Sequence, residues 1–490
     1  MIGKRFFSLV FLMAVLIAGI SAQSSQVMHY MALPQNHFIN PALRSPNSLC
    51  IGLPVLSGTS LSVNDNFVDL SDILMKSRTG DSVISILNKG YNIDKFLAKI
   101  KDRVLIEPNF ATQLFSIGFG VGNDGYAFVD VTERMDGTLI LPPELFQLVL
   151  NGNKQFLGKK INLSSLGGDM RYYREVGFGF SKNLSRKLRV GVKGKLLFGI
   201  AGFSINNRSL GISVDNNYLM KFDADLTVNM SAPVKINLLP DHTLRSINFD
   251  SEKFKTLSGI YDFFSGKGNM GLGLDVGATY DISDKLKVSA SVTDLGFINW
   301  KKDVANLGVK GNFEFGGLDV SDVIDGTEAF EDLGSVIGDS LKRAFRFTRT
   351  NNHYKDQLQN SLHLGVSYNL GKSLSLGMLS YHKIQNNQVH ESLALSANLN
   401  LSNVFSSSVS YNFSSYQQNG LGLGMAFRTG IFQFYFLSDR IPLTWNRIKI
   451  DKTKTVLLPA NWNVVNVRLG LNLVFGDRKK KEDRPMMDVE

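Results

Sequence analysis

The chain has 490 residues, a formal charge of +10 and a single cysteine, Cys50. One cysteine excludes an intrachain disulfide, so hydrogen bonding and packing must hold the fold. The positive charge is scattered, apart from Arg478 to Lys481, which argues against a nucleic-acid partner and for charges spread over the polar side of regular elements.

Met1 to Ala22 reads as a secretory signal peptide. Lys4 and Arg5 come first, then the apolar run Phe6 to Ile20, then Ser21-Ala22 before the polar Gln23-Ser24-Ser25. Beyond Ala22 no apolar run approaches the roughly 18 residues that a membrane-crossing helix requires. Any embedded form must therefore be built of strands.

Strict two-residue alternation marks those strands. Leu188, Val190 and Val192 alternate with Arg189, Gly191 and Lys193. Met270, Leu272, Leu274, Val276, Ala278 and Tyr280 alternate with Gly271, Gly273, Asp275, Gly277 and Thr279. The pattern recurs over Leu286 to Thr293 and Leu362 to Asn369. It is cleanest at the end, where Val465, Val467, Leu469, Leu471, Leu473 and Phe475 interleave with Asn466, Arg468, Gly470 and Asn472. Alternation alone fits both a soluble sandwich, with its polar face in water, and a membrane barrel, with its polar face in the lumen.

Connection lengths separate the two. Short turns are predicted at Asn123-Asp124-Gly125, Lys182 to Arg186, Asp215 to Asn217, Ile282 to Asp284, Leu370 to Lys372, Ser402-Asn403 and Thr429-Gly430. Long segments lie between them: Ser62 to Phe110, Glu133 to Met170, Asn229 to Gly268, Leu295 to Asn360 and Ser438 to Asn461. Short turns at one end and long loops at the other are the asymmetry of outer-membrane barrels, and the hairpin count gives about 14 to 16 strands. Pro142, Pro143, Pro233, Pro240, Pro442 and Pro459 fall in connections, while Pro54 interrupts the predicted first strand. Helical spacing is predicted at Ile93 to Ile100, Pro142 to Leu150 and Phe330 to Ile337, all on the long-loop side. Tyr280, Trp300, Tyr411, Phe413, Phe432, Phe434, Phe436 and Trp462 sit near predicted strand ends, where interfacial aromatics would lie.

Catalytic patterns are weak. Gly120-Val121-Gly122-Asn123-Asp124-Gly125 matches a dinucleotide fingerprint, but Tyr126 to Val131 continues as a strand where that motif needs a helix. Seven histidines show no metal-ligand spacing. The Asn-Leu-Ser triplets at Asn162, Asn183 and Asn400 are read as chance matches to a glycosylation acceptor. Neither enzymatic activity nor a cofactor or metal is expected.

Asn36 to Leu43, Ile51 to Pro54, Gly152 to Gly158, Lys195 to Gly199 and the closing Phe475 to Lys481 resemble a family of uncharacterised Bacteroidota outer-membrane barrels. The likeness covers nearly the whole mature chain and implies location and fold without an activity. Asn40-Pro41-Ala42 is similar to a motif of long-chain fatty-acid transporter barrels and of type IX secretion barrels. In such transporters the N-terminal segment plugs the lumen, which makes Gln23 to Ser48 a candidate plug here. A barrel of this size is also too wide for its inward side chains to fill.

The expectation is thus an all-β, transmembrane antiparallel barrel from a Gram-negative envelope, with helical segments in its long loops. Its parts are a signal peptide (1–22), an N-terminal plug or periplasmic segment (23–48), the barrel (49–475) and a polar periplasmic tail (476–490). Both termini are periplasmic in this reading. Asn40, Pro41 and Ala42 are plug candidates, and Arg189, Lys193, His363 and Arg468 are lumen-facing candidates. Phe475 is the candidate insertion signal. The first functional expectation is a porin-like channel or transporter for a small solute, hydrophobic ones included. The second is a scaffold or adaptor of a secretion or barrel-assembly machine. Expected partners are outer-membrane lipid, the barrel-assembly machinery during insertion, and a secretion-system or surface protein.

Overall fold

The computed structural model describes residues 26–477, apart from 67–73, 77–82, 86–90, 316–344, 386–387, 402–403, 416–418, 444, 450–454 and 460–463. The signal peptide, the tail beyond 477, the predicted helix at 330–337, the turn at Ser402-Asn403 and Trp462 lie outside the described residues.

The chain folds into a closed antiparallel barrel of 14 strands. The first strand, β1, comes in two pieces, Asn47–Gly52 and Thr59–Asp65. It is followed by β2 (Val104–Val121), β3 (Gly125–Leu141), β4 (Gly167–Asn183), β5 (Leu188–Val214), β6 (Met270–Asp281) and β7 (Leu286–Trp300). The second half comprises β8 (Asn360–Asn369), β9 (Leu374–Gln385), β10 (Gln388–Leu401), β11 (Phe405–Ser414), β12 (Gly420–Thr429), β13 (Phe432–Arg440) and β14 (Val464–Asp477). Each strand pairs with its chain neighbours, and β14 closes on β1 with Phe475 opposite Leu49 and Leu469 opposite Thr59. Closure leaves the wall no free edge.

The alternation sorts as a barrel requires. Leu272, Leu274, Leu376, Met378, Leu395 and Phe434 point outward and are exposed, while Asp275, Gly377, Ser396 and Gln433 from the same strands point inward. Toward the long connections this apolar belt ends in polar pairs. On the outer face Arg174 Nε donates to Glu133 Oε1 at 2.6 Å, and His382 Nδ1 stands 3.4 Å from Glu391 Oε1.

Three expectations are corrected. Asp215 to Asn217 does turn the chain, but at the long-connection end. Strand β5 runs 27 residues, and Leu188 to Phe198 pair with β6 while Gly202 to Val214 pair with the strand Met220–Ser231. That strand pairs in turn with Val304–Phe315, so part of the predicted long loops is an extension of the wall. Its own core gathers Phe156, Ile161, Ile212, Phe222 and Val309. The alternation of Leu188 to Lys195 breaks at Leu196-Leu197-Phe198 and resumes with shifted parity at Phe203 and Ile205, which marks the switch without naming the strand that takes over.

Second, Pro54 does not sit in a strand. Leu53 to Gly58 leave the ladder, and their backbone is satisfied locally: Val55 N–H donates to Gln113 O at 2.9 Å and Leu471 N–H to Leu56 O at 2.7 Å. Third, Trp300 is not an interfacial aromatic. It is fully buried with Tyr173, Leu197 and Ile298, because Gly199 and Gly202 on β5 leave a slot that its indole fills.

Two predicted helices form, α1 (Ile93–Leu97) and α2 (Pro143–Asn151), and an unforeseen one, α3 (Leu257–Ser265), follows. Among the described residues no helix is long and apolar enough to cross a membrane.

Trp300→Ala empties the slot and is expected to cost about 3–5 kcal/mol, read as a lower midpoint in urea unfolding of the detergent-solubilised protein.

Candidate functional site: the occupied lumen

Fourteen strands leave a bore that inward side chains alone do not fill, and the chain's own N-terminal segment lies inside it. Two short 3₁₀ turns, Gln26–Tyr30 and Pro34–Phe38, give this segment its shape. Asn36 Nδ2 donates to Met31 O at 2.5 Å, and Asn40 Oδ1 accepts from Ala42 N–H at 2.8 Å, so amide side chains fold the backbone where no ladder is available.

The wall makes room by omission. A Cβ on Gly191 would strike the Pro41 backbone, one on Gly277 the Asn40 amide, one on Gly377 the Tyr30 ring, and one on Gly424 the Met31 and Val27 side chains. Beside these gaps the segment reaches the wall's own carbonyls. Asn40 Nδ2 donates to Ala278 O at 3.2 Å and Ala290 O at 3.3 Å, two residues paired across β6 and β7. Tyr30 Oη likewise donates to Val366 O at 3.0 Å and Met378 O at 2.7 Å, a pair across β8 and β9.

Side chains complete the hold. Gln35 and Asn472 exchange amide hydrogen bonds at 2.7 and 3.1 Å, Val27 N–H donates to Asp439 Oδ1 at 2.9 Å, and Ser291 Oγ donates to Ile39 O at 2.7 Å. Val27, Met28, Met31, Leu33 and Ile39 form an apolar cluster with Tyr435 and Leu437. Among the described residues, none of the segment's contacts before Asn47 belongs to a strand ladder.

A buried ionic array stands beside it on β3 to β7. Lys193 Nζ lies 3.0 Å from Asp130 and 2.6 Å from Glu175, and Lys195 Nζ lies 2.7 Å from Asp275 and 2.6 Å from Asp294. Arg134 bridges Glu175 at 3.1 Å and Asp294 at 2.8 Å, and Tyr173 Oη donates to Asp136 at 2.8 Å. A bulge in the β6–β7 ladder sets Asp294 at φ 62° and turns its N–H onto Asp275 Oδ1 at 2.7 Å, which aims its carboxylate at both cations. His37 of the segment joins the array, its Nε2 3.3 Å from Asp130 Oδ2.

On the long-connection side of the segment lies a cavity of about 110 Å³. Phe38 forms its floor, held beneath Lys193 Nζ at 4.6 Å and Arg468 Cζ at 5.8 Å from the ring centroid. Phe110, Leu358, Tyr381, Arg134 and Lys383 are among its walls. Lys383 is paired with Glu107 at 2.7 Å.

The residues singled out in the sequence land as follows. Asn40, Pro41 and Ala42 lie against β5, β6 and β7. Lys193 enters the ionic array and Arg468 faces the cavity floor, where its nearest hydrogen-bond acceptor is Ser60 Oγ at 3.4 Å. His363 is buried against the Tyr381 ring at 5.0 Å, and neither ring nitrogen has a hydrogen-bond partner among the described residues. Arg189 stands apart near the short turns, bound to Asn183 Oδ1 at 2.9 Å and Ser181 Oγ at 2.8 Å. Phe475 is on the outer face at the closing seam. Sequence reasoning missed Arg134, Asp130, Glu175, Lys195 and Asp294. Their signal was ionisable residues on the polar face of otherwise alternating strands, far from any turn.

The fold and its filled bore define a class: a closed barrel with an apolar exterior, a polar interior and an internal N-terminal segment. The chain belongs to the family of unknown function DUF5723, whose model matches residues 41–439. No curated protein matches it. Among solved structures it is similar to the Ralstonia pickettii toluene transporter TbuX, at 12% identity over 93% of this chain and 97% of that one, with a TM-score of 0.36. A Pseudomonas aeruginosa FadL homologue is similar at 8% identity over 94% and 100%, with a TM-score of 0.42. The Pseudomonas putida toluene transporter TodX is similar at 10% identity over 94% and 97%, with a TM-score of 0.37.

Two outcomes are expected. Gly191→Val should displace Asn40-Pro41-Ala42, so a cysteine placed at Ala42 in a Cys50→Ser background, unreactive to maleimide in the parent, should label readily. Lys193→Met should strand two buried carboxylates and cost about 3–5 kcal/mol, with part of the loss recovered by adding Glu175→Gln, as read by urea unfolding.

Proposed function

We propose that this protein is an outer-membrane barrel that conducts a small solute once its N-terminal segment yields, with both chain termini on the periplasmic side. The membrane reading is supported by the outer face. Its exposed apolar belt spans about ten residues per strand between the short turns and the Arg174–Glu133 pair, the length a tilted strand uses to cross hydrocarbon. Phe475 closes the wall at the short-turn end and serves in this reading as the insertion signal for the assembly machinery.

The observation that carries the conducting function is the way the bore is closed. A segment held by side-chain hydrogen bonds and a local apolar cluster can leave without breaking one wall ladder. A lumen filled permanently by a ladder-bonded element could not open so cheaply in free energy. Beyond Phe38 the cavity offers an apolar surface, from Phe38, Phe110 and Leu358, beside Arg468, while Arg134 and Lys383 are already paired with Asp294 and Glu107. That mixture suits a small solute with an apolar body and a polar or anionic end. Because Asn47 and Ser48 pair in the wall, the movable part ends before them.

Deleting Gln26 to Arg44 while keeping the barrel strands should raise the swelling rate of reconstituted liposomes in isosmotic arabinose several-fold over the full-length protein. Equal, negligible swelling of both forms would sink the conducting reading, and a stoichiometric protein partner in gentle detergent would then point to the adaptor.

A further inference from the structure

Helix α3 has the wrong side out for water. Its apolar residues Leu257, Ile260, Tyr261 and Phe264 fall at i, i+3, i+4 and i+7 and make one stripe, with Ser258, Asp262 and Ser265 on another side. No residue of the helix is buried, and Leu257, Tyr261 and Phe264 are 86%, 65% and 40% exposed. Such a patch on an ordered, capped helix calls for something to cover it.

The helix is nonetheless held firmly. Thr256 Oγ1 caps Gly259 N–H at 3.1 Å, and Gly266 ends the helix at φ 61°. Gly266 also lies close enough to the Phe198 backbone on β5 that a Cβ would collide with it. Phe263 packs edge-on against Phe254 at 5.1 Å, and Asp262 is tied to Lys302 Nζ at 2.5 Å on the barrel rim. With its Asp262 and Phe263 sides engaged by the protein, the stripe faces away from it.

Its height on the barrel says what it faces. Phe198 is on the outer side of β5, about ten residues from the short turn, where a crossing strand leaves the hydrocarbon. Met270 on β6 stands opposite it, and below it the outward Leu196 on β5 and Leu272 on β6 continue the exposed apolar belt. Lys267 is placed over the Tyr261 ring at 5.6 Å, and Lys253 and Lys302 are paired with Asp303 and Asp262 at the same level. Aromatics and lysines around an apolar stripe are the composition of the headgroup zone.

We propose that α3 lies flat in the lipid interface at the long-loop rim of the barrel, with Leu257, Ile260, Tyr261 and Phe264 embedded in the bilayer that holds the wall. The proposal rests on the membrane reading above and names a surface that reading does not require. It makes the loop between Ser231 and Met270 a lipid-anchored collar, so that one side of the rim is fixed to the membrane independently of the strands.

Site-directed nitroxide labelling in the full chain tests it, because the only native cysteine can be replaced by Cys50→Ser. Labels at Tyr261→Cys, Phe264→Cys, Ser258→Cys and the wall reference Met378→Cys are compared in equimolar phosphatidylcholine–phosphatidylglycerol vesicles. Collisions with oxygen and with a water-soluble nickel chelate are measured at each site. Labels at 261 and 264 should favour oxygen as the 378 label does, while the 258 label favours nickel. If 261 and 264 favour nickel while 378 reports lipid, the stripe is in water and the proposal falls with the barrel reading intact. If 261 and 264 are shielded from both reagents, a protein surface covers the stripe and the proposal is equally overturned. If 378 itself favours nickel, the membrane reading fails first.

Discussion

The bore is the constraint from which the rest follows. A closed wall satisfies every strand's backbone, but at fourteen strands it encloses more space than inward side chains can occupy. Something must enter, and a segment without regular ladder structure brings unpaired backbone groups with it. These groups and the wall's charges are then satisfied inside, by the amides of Asn36, Asn40 and Gln35 and by hydroxyls such as Ser291. Missing side chains at glycines 191, 277, 377 and 424 give the segment its track. The inner face is therefore a mould for a particular stretch of chain, with donors and acceptors at fixed places.

The ionic array is a second answer to the same constraint, on the strands against which His37 to Ala42 also lie. Isolated buried charges would be prohibitive, whereas alternating Lys and Arg with Asp and Glu across β3 to β7 offset one another's desolvation. The array also ties five consecutive strands through their side chains as well as through their backbones. His37 and Phe38 meet it at one corner, through Asp130 and Lys193. A displacement of the segment therefore changes the surroundings of charged groups as well as apolar ones.

Much of the architecture was legible because its cause is local. The two-residue period of Met270 to Tyr280 or Val465 to Phe475 needs only the pleat and a difference of medium between two faces. Where a distant partner decides, the sequence is mute. The β5 pattern shifts parity between Phe198 and Phe203, where β6 gives way to the extension, but nothing local says which strand comes next, and the Asp215 turn is therefore expected at the wrong end. Trp300 looked interfacial because nothing adjacent to it announces the Gly199 and Gly202 slot on another strand. The same holds for the lumen: Lys193 and Arg468 stand out by alternation, but Asp130, Glu175 and Asp294 gain meaning only through register and a bulge. Helix α3 carries in Leu257, Ile260, Tyr261 and Phe264 the same spacing that marks Ile93 to Ile100, so it too was legible.

The two ends of the barrel thus have different mechanical characters. At the short-turn end the wall is regular, its seam is closed by Phe475 opposite Leu49, and the bore is filled by a segment bound through side chains. At the long-connection end the wall is prolonged on one side only, by β5, the strands Met220–Ser231 and Val304–Phe315, and the core around Phe222. That extension has a packed core of its own, and the strands beneath it carry the ionic array. The interrupted β1 and strands β12 and β13, whose Ala426, Tyr435 and Leu437 join the segment's apolar cluster, border the N-terminal segment on the other side. On the interrupted side Leu53 to Gly58 stand outside the ladder, and buried Gln35 and Ser57 both donate to Gln113 Oε1 while Gln35 also donates to Ser57 O, so side-chain amides do there what strand pairing does elsewhere in the wall.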